Sequence, residues 1–209
     1  MNYIDLITSN NSYFAQNDDS TSKYQQKAKR LCFEYNNTSP DNMQRRREIL
    51  NDLLGTSNDL VFIEPSFRCD YGFNIHAHGF LLMNYNCVIL DTSPVNIGAG
   101  VFIAPGVVLA CAGHAVDPEQ RASGIGSSAP ITIEDEVWIG ANATVIGGVT
   151  IGKGSIIGAG SVVTRDIPGG VIAYGNPCKV RRKITDEDKI SPENIFRIIA
   201  DENDNSVSE

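Results

Sequence analysis

The sequence has no long hydrophobic segment. Its longest apolar run, Val101 to Gly113, is interrupted by Pro105 and is shorter than the roughly 20 residues that a membrane-spanning helix needs. The first residues, MNYIDLITSNNS, lack the basic start and the apolar stretch of a secretory signal peptide. We therefore predict a cytoplasmic protein that does not associate with a membrane.

An excess of positive charge is also missing. The 209 residues include 17 Lys and Arg against 25 Asp and Glu, which gives a formal net charge of −8. Proteins that bind nucleic acid or anionic membranes usually carry a basic surface, so we expect neither as a partner. An anionic ligand would have to be held by a local cluster of cations rather than by the field of the whole molecule.

Cysteines are few, and their spacing is not that of a metal site. Their number is odd and no two of them form a CxxC motif, which favours reduced thiols over a disulfide framework or a structural zinc site. They are Cys32, Cys69, Cys87, Cys111 and Cys178.

A repeat of six residues dominates the middle of this chain, whose composition is globular with 42% hydrophobic residues. Apolar residues recur at this step from Ile63 to Cys87, from Ile97 to Leu109 and from Ile133 to Val163. A period of six fits neither an amphipathic helix nor a plain alternating strand. It predicts a three-sided solenoid of short parallel strands, with coils about 4.8 Å apart and inward ladders of apolar side chains. A β-sandwich with coincidental spacing is the alternative.

The repeat is interrupted twice. The step of ten residues between Cys87 and Ile97 predicts a bulge of four extra residues near 91–94. The step of 24 residues between Leu109 and Ile133 is polar and rich in glycine, and it predicts an excursion loop over 112–130. Loops carried by a rigid scaffold often hold functional residues, so we look for the active groups there.

The two ends of the chain differ from the repeat. Residues 1–56 form a predicted helical region, with an apolar helical stripe from Lys23 to Tyr35. A second helix is expected to have Ser39 as its N-cap, Pro40 in its first turn and Gly55 at its end. The β-helix domain is predicted over 57–184, and a short C-terminal helix with an acidic tail over 185–209.

Five segments of the sequence resemble the maltose/galactoside O-acetyltransferases, a family of hexapeptide-repeat acyltransferases. The match covers nearly everything from about Tyr24 to Lys183, and the segments that carry it read YGFNIHAHGFLLMNYNCVILD, VFIAPGVVLACAGHAVDPEQR, PITIEDEVWIGANATVIGGVTIG, IGAGSVVTRDIPGG and YGNPCKVRRKI. The resemblance implies a fold dominated by β-structure, a left-handed parallel β-helix with an N-terminal helical region and a short C-terminal helix. It also implies a homotrimer with active sites between subunits, which transfers acetyl from acetyl-CoA to a sugar hydroxyl.

His114 is the candidate general base. It lies in the GHxxxxxxR motif at the start of the excursion, and acyl transfer to a hydroxyl needs a group that takes the hydroxyl proton near neutral pH. A structural loop histidine is the alternative. Cys111 suggests an acyl-cysteine route, but a small apolar filler is the interpretation we favour.

The resemblance also assigns residues to the acceptor. Asn84 matches a residue that binds the acceptor hydroxyl, and Trp138, in VWIG, matches the wall of the acetyl and acceptor site. Asp70 and Asp91 fall near family acceptor positions, with Thr92 as the alternative to Asp91 because the register of the bulge is open. Corner or turn residues, and a core aromatic for the tryptophan, are the structural alternatives.

The CoA-binding positions follow from the same resemblance. Small residues along the coils let the pantetheine arm lie against the backbone, and cations hold the phosphate end. A generic solvated basic turn is the alternative for the KVRRK cations. The matching positions are Ala141, Ala159, Thr164, Arg165, Lys179 and Arg182.

No metal is expected in the reaction. His76 and His78 together with His114 invite comparison with hexapeptide-repeat zinc carbonic anhydrases, since three imidazoles can hold a catalytic zinc. The spaced histidine pair of that family is absent, because the stretch 115–132 contains no histidine.

The N-terminal arm departs from the family pattern. Gln16 stands where some members have an acceptor-binding Asp, and Gln25 stands where they have an Arg. The acceptor is therefore left open between a simple sugar and another molecule, such as a polysaccharide, an oligosaccharide, an antibiotic or an amine. A non-catalytic solenoid that only binds or assembles is the alternative from another class.

Overall fold

Two helices cover one end of a three-sided parallel β-helix in the computed structural model, which describes residues 13–15 and 21–195. Helix α1 (Ser22–Asn37) buries Ala28, Cys32 and Tyr35, which follow the spacing of one helical face. Helix α2 (Met43–Leu53) buries an aliphatic stripe that includes Ile49 and Leu50. The predicted helical region is therefore present, and its helices close the apolar end that a solenoid would otherwise expose.

Helix α2 begins later than the sequence predicts. Its N-cap is Asn42, whose side-chain oxygen accepts a hydrogen bond from the backbone N–H of Arg45 at 3.2 Å. Ser39 and Pro40 lie in a preceding turn, closed by the bond from the N–H of Asn42 to the carbonyl of Ser39. The prediction of Ser39 as the cap is wrong because Asn42 offers an equally good cap directly before the apolar stripe.

Three parallel sheets form the sides of the prism, and each coil contributes one short strand to each side. Sheet 1 contains β4 (Ile75–Ala77), β7 (Val95–Ile97), β12 (Ile131–Ile133) and β15 (Thr150–Ile151). Sheet 2 contains β2 (Val61–Ile63), β5 (Leu81–Met83), β8 (Val101–Ile103), β13 (Trp138–Ile139), β16 (Ile156–Ile157), β18 (Val171–Tyr174) and the antiparallel β19 (Lys179–Lys183). Sheet 3 contains β3 (Arg68–Cys69), β6 (Val88–Leu90), β9 (Val108–Ala110), β14 (Thr144–Ile146) and β17 (Val162–Val163).

The excursion forms a small sheet of its own. Strand β10 (Ala112–His114) pairs antiparallel with β11 (Ile125–Ser128), and β11 also pairs with β1 (Tyr13–Ala15). A short helix, α3 (Pro118–Ala122), joins β10 and β11, and Asp117 caps it. We call β10, α3 and β11 the His114 hairpin.

The interior is aliphatic, as the repeat predicts, but the register is partly shifted. Ile97 pairs with Ala77 rather than with Ile75, and Ile89 pairs with Cys69. The steps from Cys69 to Ala77 and from Ile89 to Ile97 are therefore eight residues each. The prediction of a single four-residue bulge near 91–94 is wrong, because the extra residues are shared between two corners.

The C-terminal part contains two single-turn 3-10 helices, Asp186–Asp188 and Pro192–Asn194, within the described residues. The rest of the predicted C-terminal helix and the acidic tail lie outside the described residues. Within residues 13–15 and 21–195, no helix has the length and apolar character needed to cross a bilayer. All five cysteines are free thiols.

Candidate active site

The corner between sheets 2 and 3 carries a column of stacked backbone positions, which we call the 2–3 edge. The N–H of Asn84 donates to Ile103, that of Ala104 to Ile139, that of Gly140 to Ile157 and that of Gly158 to Ala173, each through the carbonyl one coil on. Asn84, Ala104, Gly140 and Gly158 therefore lie above one another. Asn84 and the corners that carry Ala141 and Ala159 thus share one edge of the prism.

Asn84 is not required by the backbone at this corner. The left-handed conformation is adopted two residues later, by Asn86 with φ of 62°. Asn84 is half-buried, and its Oδ1 accepts a hydrogen bond from the N–H of Tyr85 at 2.8 Å. The alternative of a turn asparagine applies to Asn86 instead, so the amide of Asn84 is available for another role.

Small residues occupy the 2–3 edge from Gly140 onward. They let neighbouring coils pack closely, and they leave the outer surface of this edge free of large side chains. A side chain on Gly140 would put its Cβ 2.6 Å from the backbone nitrogen of Ala159, so only glycine fits there. Ala141 and Ala159 directly follow the stacked Gly140 and Gly158 and therefore lie on neighbouring coils. The N–H of Gly160 donates a hydrogen bond to the carbonyl of Ala141 and joins these two coils. An extended ligand could lie along these two coils without meeting a large side chain.

Trp138 points outward from sheet 2, two residues before Gly140 at the 2–3 edge. It pairs in register with Phe102 and Ile156, and its side chain is 51% exposed. Phe102 is also exposed, and its ring lies 5.5 Å from that of Phe80. The alternative of a core aromatic is therefore ruled out for Trp138.

His114 lies at a different corner, between sheets 3 and 1, which we call the 3–1 edge. It is the last residue of β10, pairs with the buried Gly126 and is itself exposed. A cleft of about 300 Å³ lies at the base of the hairpin, lined by 110–113, 127–129 and 146–147. Cys111 in this lining is buried, and burial raises the pKa of its thiol to about 12, which disfavours the acyl-cysteine route.

Asp91 lies at the 3–1 edge but not at the surface. Its side chain is fully buried, and Oδ1 accepts hydrogen bonds from the N–H groups of Asp70 and Tyr71, each at 2.9 Å. Burial raises the pKa of this carboxyl to about 6, although the bonds from the backbone lower it. Among the described residues Oδ2 has no hydrogen-bond partner. The structure therefore gives Asp91 an interior role and does not bring it to the surface where an acceptor would bind.

Asp70 stays accessible at the same edge. Its side chain is half-buried, and burial raises its pKa while the charge of Lys29 opposes that shift. Of the two predicted acceptor carboxylates, Asp70 is the one that could contact a ligand.

The predicted phosphate-binding residues are all exposed and fall into two places. Thr164 and Arg165 directly follow β17 at the 3–1 edge, whereas Lys179 and Arg182 lie on the terminal strand β19. Arg182 forms a bidentate ion pair with Asp188, with nitrogen–oxygen distances of 2.7 and 2.6 Å. A phosphate at Arg182 would have to share or displace this carboxylate.

The remaining polar candidates are used within the fold. Gln25 donates through Nε2 to the hydroxyl of Tyr71 at 3.2 Å, and Gln16 lies outside the described residues. His76 lies 3.0 Å from the hydroxyl of Thr56 through Nδ1, and its ring stacks on that of His78 with centroids 6.4 Å apart. In the part of the chain that the structure describes, no group of three or more His, Cys, Asp or Glu could hold a metal ion.

The structure therefore divides the predicted site between two edges of sheet 3. Asn84, Ala141 and Ala159 lie at the 2–3 edge, and His114 and Asp70 at the 3–1 edge. The three-residue strands between the edges are about 10 Å long.

Sequence reasoning missed two sets of contacts: the pair of Asp188 with Arg182, and the buried hydroxyls of Thr92, Ser93 and Ser128. Side chains as far apart in the chain as Thr92 and Ser128 give no local signal in the sequence.

Comparison with known proteins gives the same class. Sequence profiles match at residues 9–58 for the maltose acetyltransferase hexapeptide capping motif and at 130–165 for the bacterial transferase hexapeptide (six repeats). The galactoside O-acetyltransferase of Escherichia coli K12 is 42% identical over 163 residues, which cover 78% of this chain and 80% of that protein.

Solved structures agree with the sequence comparison. A maltose O-acetyltransferase from Clostridium difficile 630 superposes with a TM-score of 0.85 at 39% identity, over 88% of this chain and 98% of that one. A galactoside acetyltransferase in complex with coenzyme A gives a TM-score of 0.86 at 36% identity, over 96% of this chain and all of that one.

Fold and site thus define a hexapeptide-repeat acetyltransferase. The chain belongs to the maltose/galactoside O-acetyltransferase family, and the family expected from the sequence motifs is confirmed.

Proposed function

We propose that this enzyme transfers the acetyl group of acetyl-CoA to a hydroxyl of a sugar, with His114 as the general base. The observation that carries the proposal is the exposed His114 at the end of β10, the strand whose residues Ala112 and Gly113 line a cleft of about 300 Å³. The scaffold that carries it has Asn84 and small residues along its 2–3 edge.

In the proposed reaction, His114 removes the proton from the acceptor hydroxyl as its oxygen attacks the thioester carbonyl. The C–O bond forms, backbone N–H groups stabilise the tetrahedral oxyanion, and the C–S bond then breaks. The imidazolium returns its proton to the departing CoA thiolate. Asn84, Asp70 and Trp138 bind the acceptor in this proposal. The transfer is direct, with no acyl-enzyme, and it needs no metal.

The CoA site in this proposal follows the edges of the prism. Ala141 and Ala159 leave backbone groups accessible to the pantetheine arm. The hydroxyl and cations at the far end, from Thr164, Arg165, Lys179 and Arg182, bind the phosphates. The coenzyme A bound by the galactoside acetyltransferase with the same fold supports this assignment.

We also propose a homotrimer, and the separation of the two edges supports a site shared between copies. His114 and the 2–3 edge are a full strand face apart within one chain, so a second copy is needed to bring an imidazole to Asn84. The exposed aromatic face of sheet 2, with Phe102 and Trp138, is apolar surface that another copy would cover. The predicted cytoplasmic location belongs to the same proposal.

The test is release of CoA thiol from acetyl-CoA with a panel of sugars, with mass spectrometry of the acetylated product. We expect turnover by the wild type, and a loss of about 10²- to 10⁴-fold in His114→Ala with an unchanged thermal unfolding profile. His78→Ala, which removes another exposed imidazole directly after β4, is the matched control and keeps the wild-type rate.

Two results would contradict the proposal. A His114→Ala variant that retains more than about a tenth of the wild-type rate is incompatible with a general base. Absence of CoA release with every acceptor, together with absence of CoA binding, would favour the non-catalytic solenoid. Gln25 stands where some family members have an Arg. The panel therefore also includes polysaccharides, antibiotics and amines.

A further inference from the structure

Three buried hydroxyl groups form a chain at the 3–1 edge. The hydroxyl of Thr92 lies 2.7 Å from that of Ser128, and Ser128 donates to the hydroxyl of Ser93 at 2.6 Å. Since Ser128 donates to Ser93, its oxygen is left to accept from Thr92. All three residues are at most 5% exposed, so these bonds are formed away from solvent.

The chain joins two parts of the fold that are far apart in sequence. Thr92 and Ser93 belong to the corner between β6 and β7, whereas Ser128 is the last residue of β11 in the His114 hairpin. Ser128 on β11 lies opposite Ala112 on β10, and His114 is two residues after Ala112 on β10. The backbone bond from Ala129 to the carbonyl of Cys111, at 3.2 Å, closes the base of the hairpin beside it.

We propose that Thr92, Ser93 and Ser128 are positioning residues for His114. Through Ser128 they fix the root of the hairpin on the prism and thereby the place of the imidazole. None of the three touches a reacting atom in this proposal. It rests on the proposed function, since His114 must be the base for its position to matter. A displacement of about 1 Å in a catalytic group can cost about 10²-fold in rate. The hydrogen bonds among Thr92, Ser93 and Ser128, which we call the clamp, can therefore affect the rate by preventing such a displacement.

The surroundings explain why hydroxyls are used here. The interior elsewhere is aliphatic, and an apolar contact would let the hairpin slide, whereas hydrogen bonds fix a direction as well as a distance. The neighbouring Asp91 holds the preceding coil through Asp70 and Tyr71. The corner 91–93 is therefore fixed on both sides, toward the coil before it and toward the hairpin.

Ser128→Ala tests the clamp. We expect kcat to fall about 10- to 100-fold. The Kd for CoA should change by less than about twofold, because the proposed CoA-binding residues, from Ala141 onward, all lie on later coils than Ser128. Thr92→Val keeps the shape and removes one hydroxyl, so it should lose part of the rate. Thr92→Ser restores the hydroxyl and should recover most of that loss.

A matched control separates positioning from a general loss of stability. Ser155 is also buried, donates to the carbonyl of Pro168 at 2.7 Å and accepts from the N–H of Val171 at 3.3 Å. Ser155→Ala therefore removes buried hydrogen bonds on a coil away from the hairpin. We expect a similar decrease in thermal stability and a kcat within about twofold of the wild type. A loss of kcat equal to that of Ser128→Ala would overturn the proposal.

A double-mutant cycle with His114→Ala tests whether the effect passes through the imidazole. In that background Ser128→Ala should lower the residual rate by less than about twofold, because the base is already absent. An undiminished further loss would show that Ser128 acts on something else.

Hydrogen–deuterium exchange gives a readout that does not depend on turnover. Amides of β10 should exchange at least about tenfold faster in Ser128→Ala than in the wild type, while those of β14 stay unchanged. Unchanged exchange in β10 would overturn the clamp. An inactive wild type would refute the proposed function, and the clamp would then be judged on this exchange alone.

Discussion

The buried carboxyl group of Asp91 makes the stability of the folded protein depend on pH. Burial raises its pKa from the ordinary value of 3.8 to about 6, and only Oδ1 is satisfied by backbone donors. A carboxyl whose pKa is raised in the folded state favours folding when it is protonated. Its unfavourable effect is therefore absent below about pH 4 and grows as the pH rises through about 6.

The size of this effect follows from the two pKa values. The interval from 3.8 to about 6 corresponds to about 3 kcal/mol, at about 1.4 kcal/mol for each pH unit. Asp91→Asn removes the charge and keeps an oxygen that can accept from Asp70 and Tyr71. The new amide group needs a partner, and leaving it unpaired costs about 1–2 kcal/mol. We therefore expect a net gain in the free energy of unfolding of about 1–2 kcal/mol above pH 7.

The assay is urea unfolding of wild type and Asp91→Asn at one protein concentration, from about pH 4 to about pH 8. The difference between the two proteins should favour the variant above about pH 6 and move against it as the pH falls toward 4. Asp59→Asn, at an exposed position, serves as the control and should show no such trend. A difference that is the same at every pH would refute the assignment of a raised pKa to Asp91.

Two further predictions concern the edges of the prism. Arg182→Ala should weaken binding of CoA about tenfold at low salt and less at high salt, as measured by calorimetry; unchanged binding at low salt would contradict a phosphate contact of Arg182. The pair with Asp188 is exposed and contributes little energy, so it should not prevent a phosphate from binding. Gly140→Ala should cost about 1–3 kcal/mol in unfolding free energy, because its Cβ would meet the backbone of Ala159; an unchanged melting temperature would contradict this.

The ladders of the β-helix could be predicted from the sequence because few folds besides a three-sided solenoid place an apolar residue at every sixth position. The exact register could not. In three-residue strands of sheets 1 and 2 the first and third side chains both point inward, as those of Val95 and Ile97 do. A frame shifted by two residues therefore remains apolar, and stepping by six from Ile63 arrives at Ile75 where the structure pairs Ala77.

The site could be predicted in part for a related reason. The motifs identify residue types at corners, and each corner lies on a definite edge, so Asn84 and Ala141 lie on one edge in the structure. Whether a side chain at a corner is exposed depends on what packs over it. Asp91 is covered because the chain from Thr92 to Pro94 turns inward toward Ser128, and no pattern around residue 91 shows this.

Departures from the repeat coincide with the 3–1 edge, where the proposal places His114. The two corners with extra residues are 70–74 and 91–94, and both lie at this edge. Seven polar residues are buried in the described part of the chain, and four of them, Asn74, Asp91, Thr92 and Ser93, lie in these corners. A fifth, Ser128, bonds to them from the hairpin. The regular corners bury only two small serines, Ser155 and Ser161, whereas the longer corners also bury the carboxyl of Asp91 and the amide of Asn74. The insertion of two residues therefore explains how an aliphatic prism can hold a polar foundation under His114.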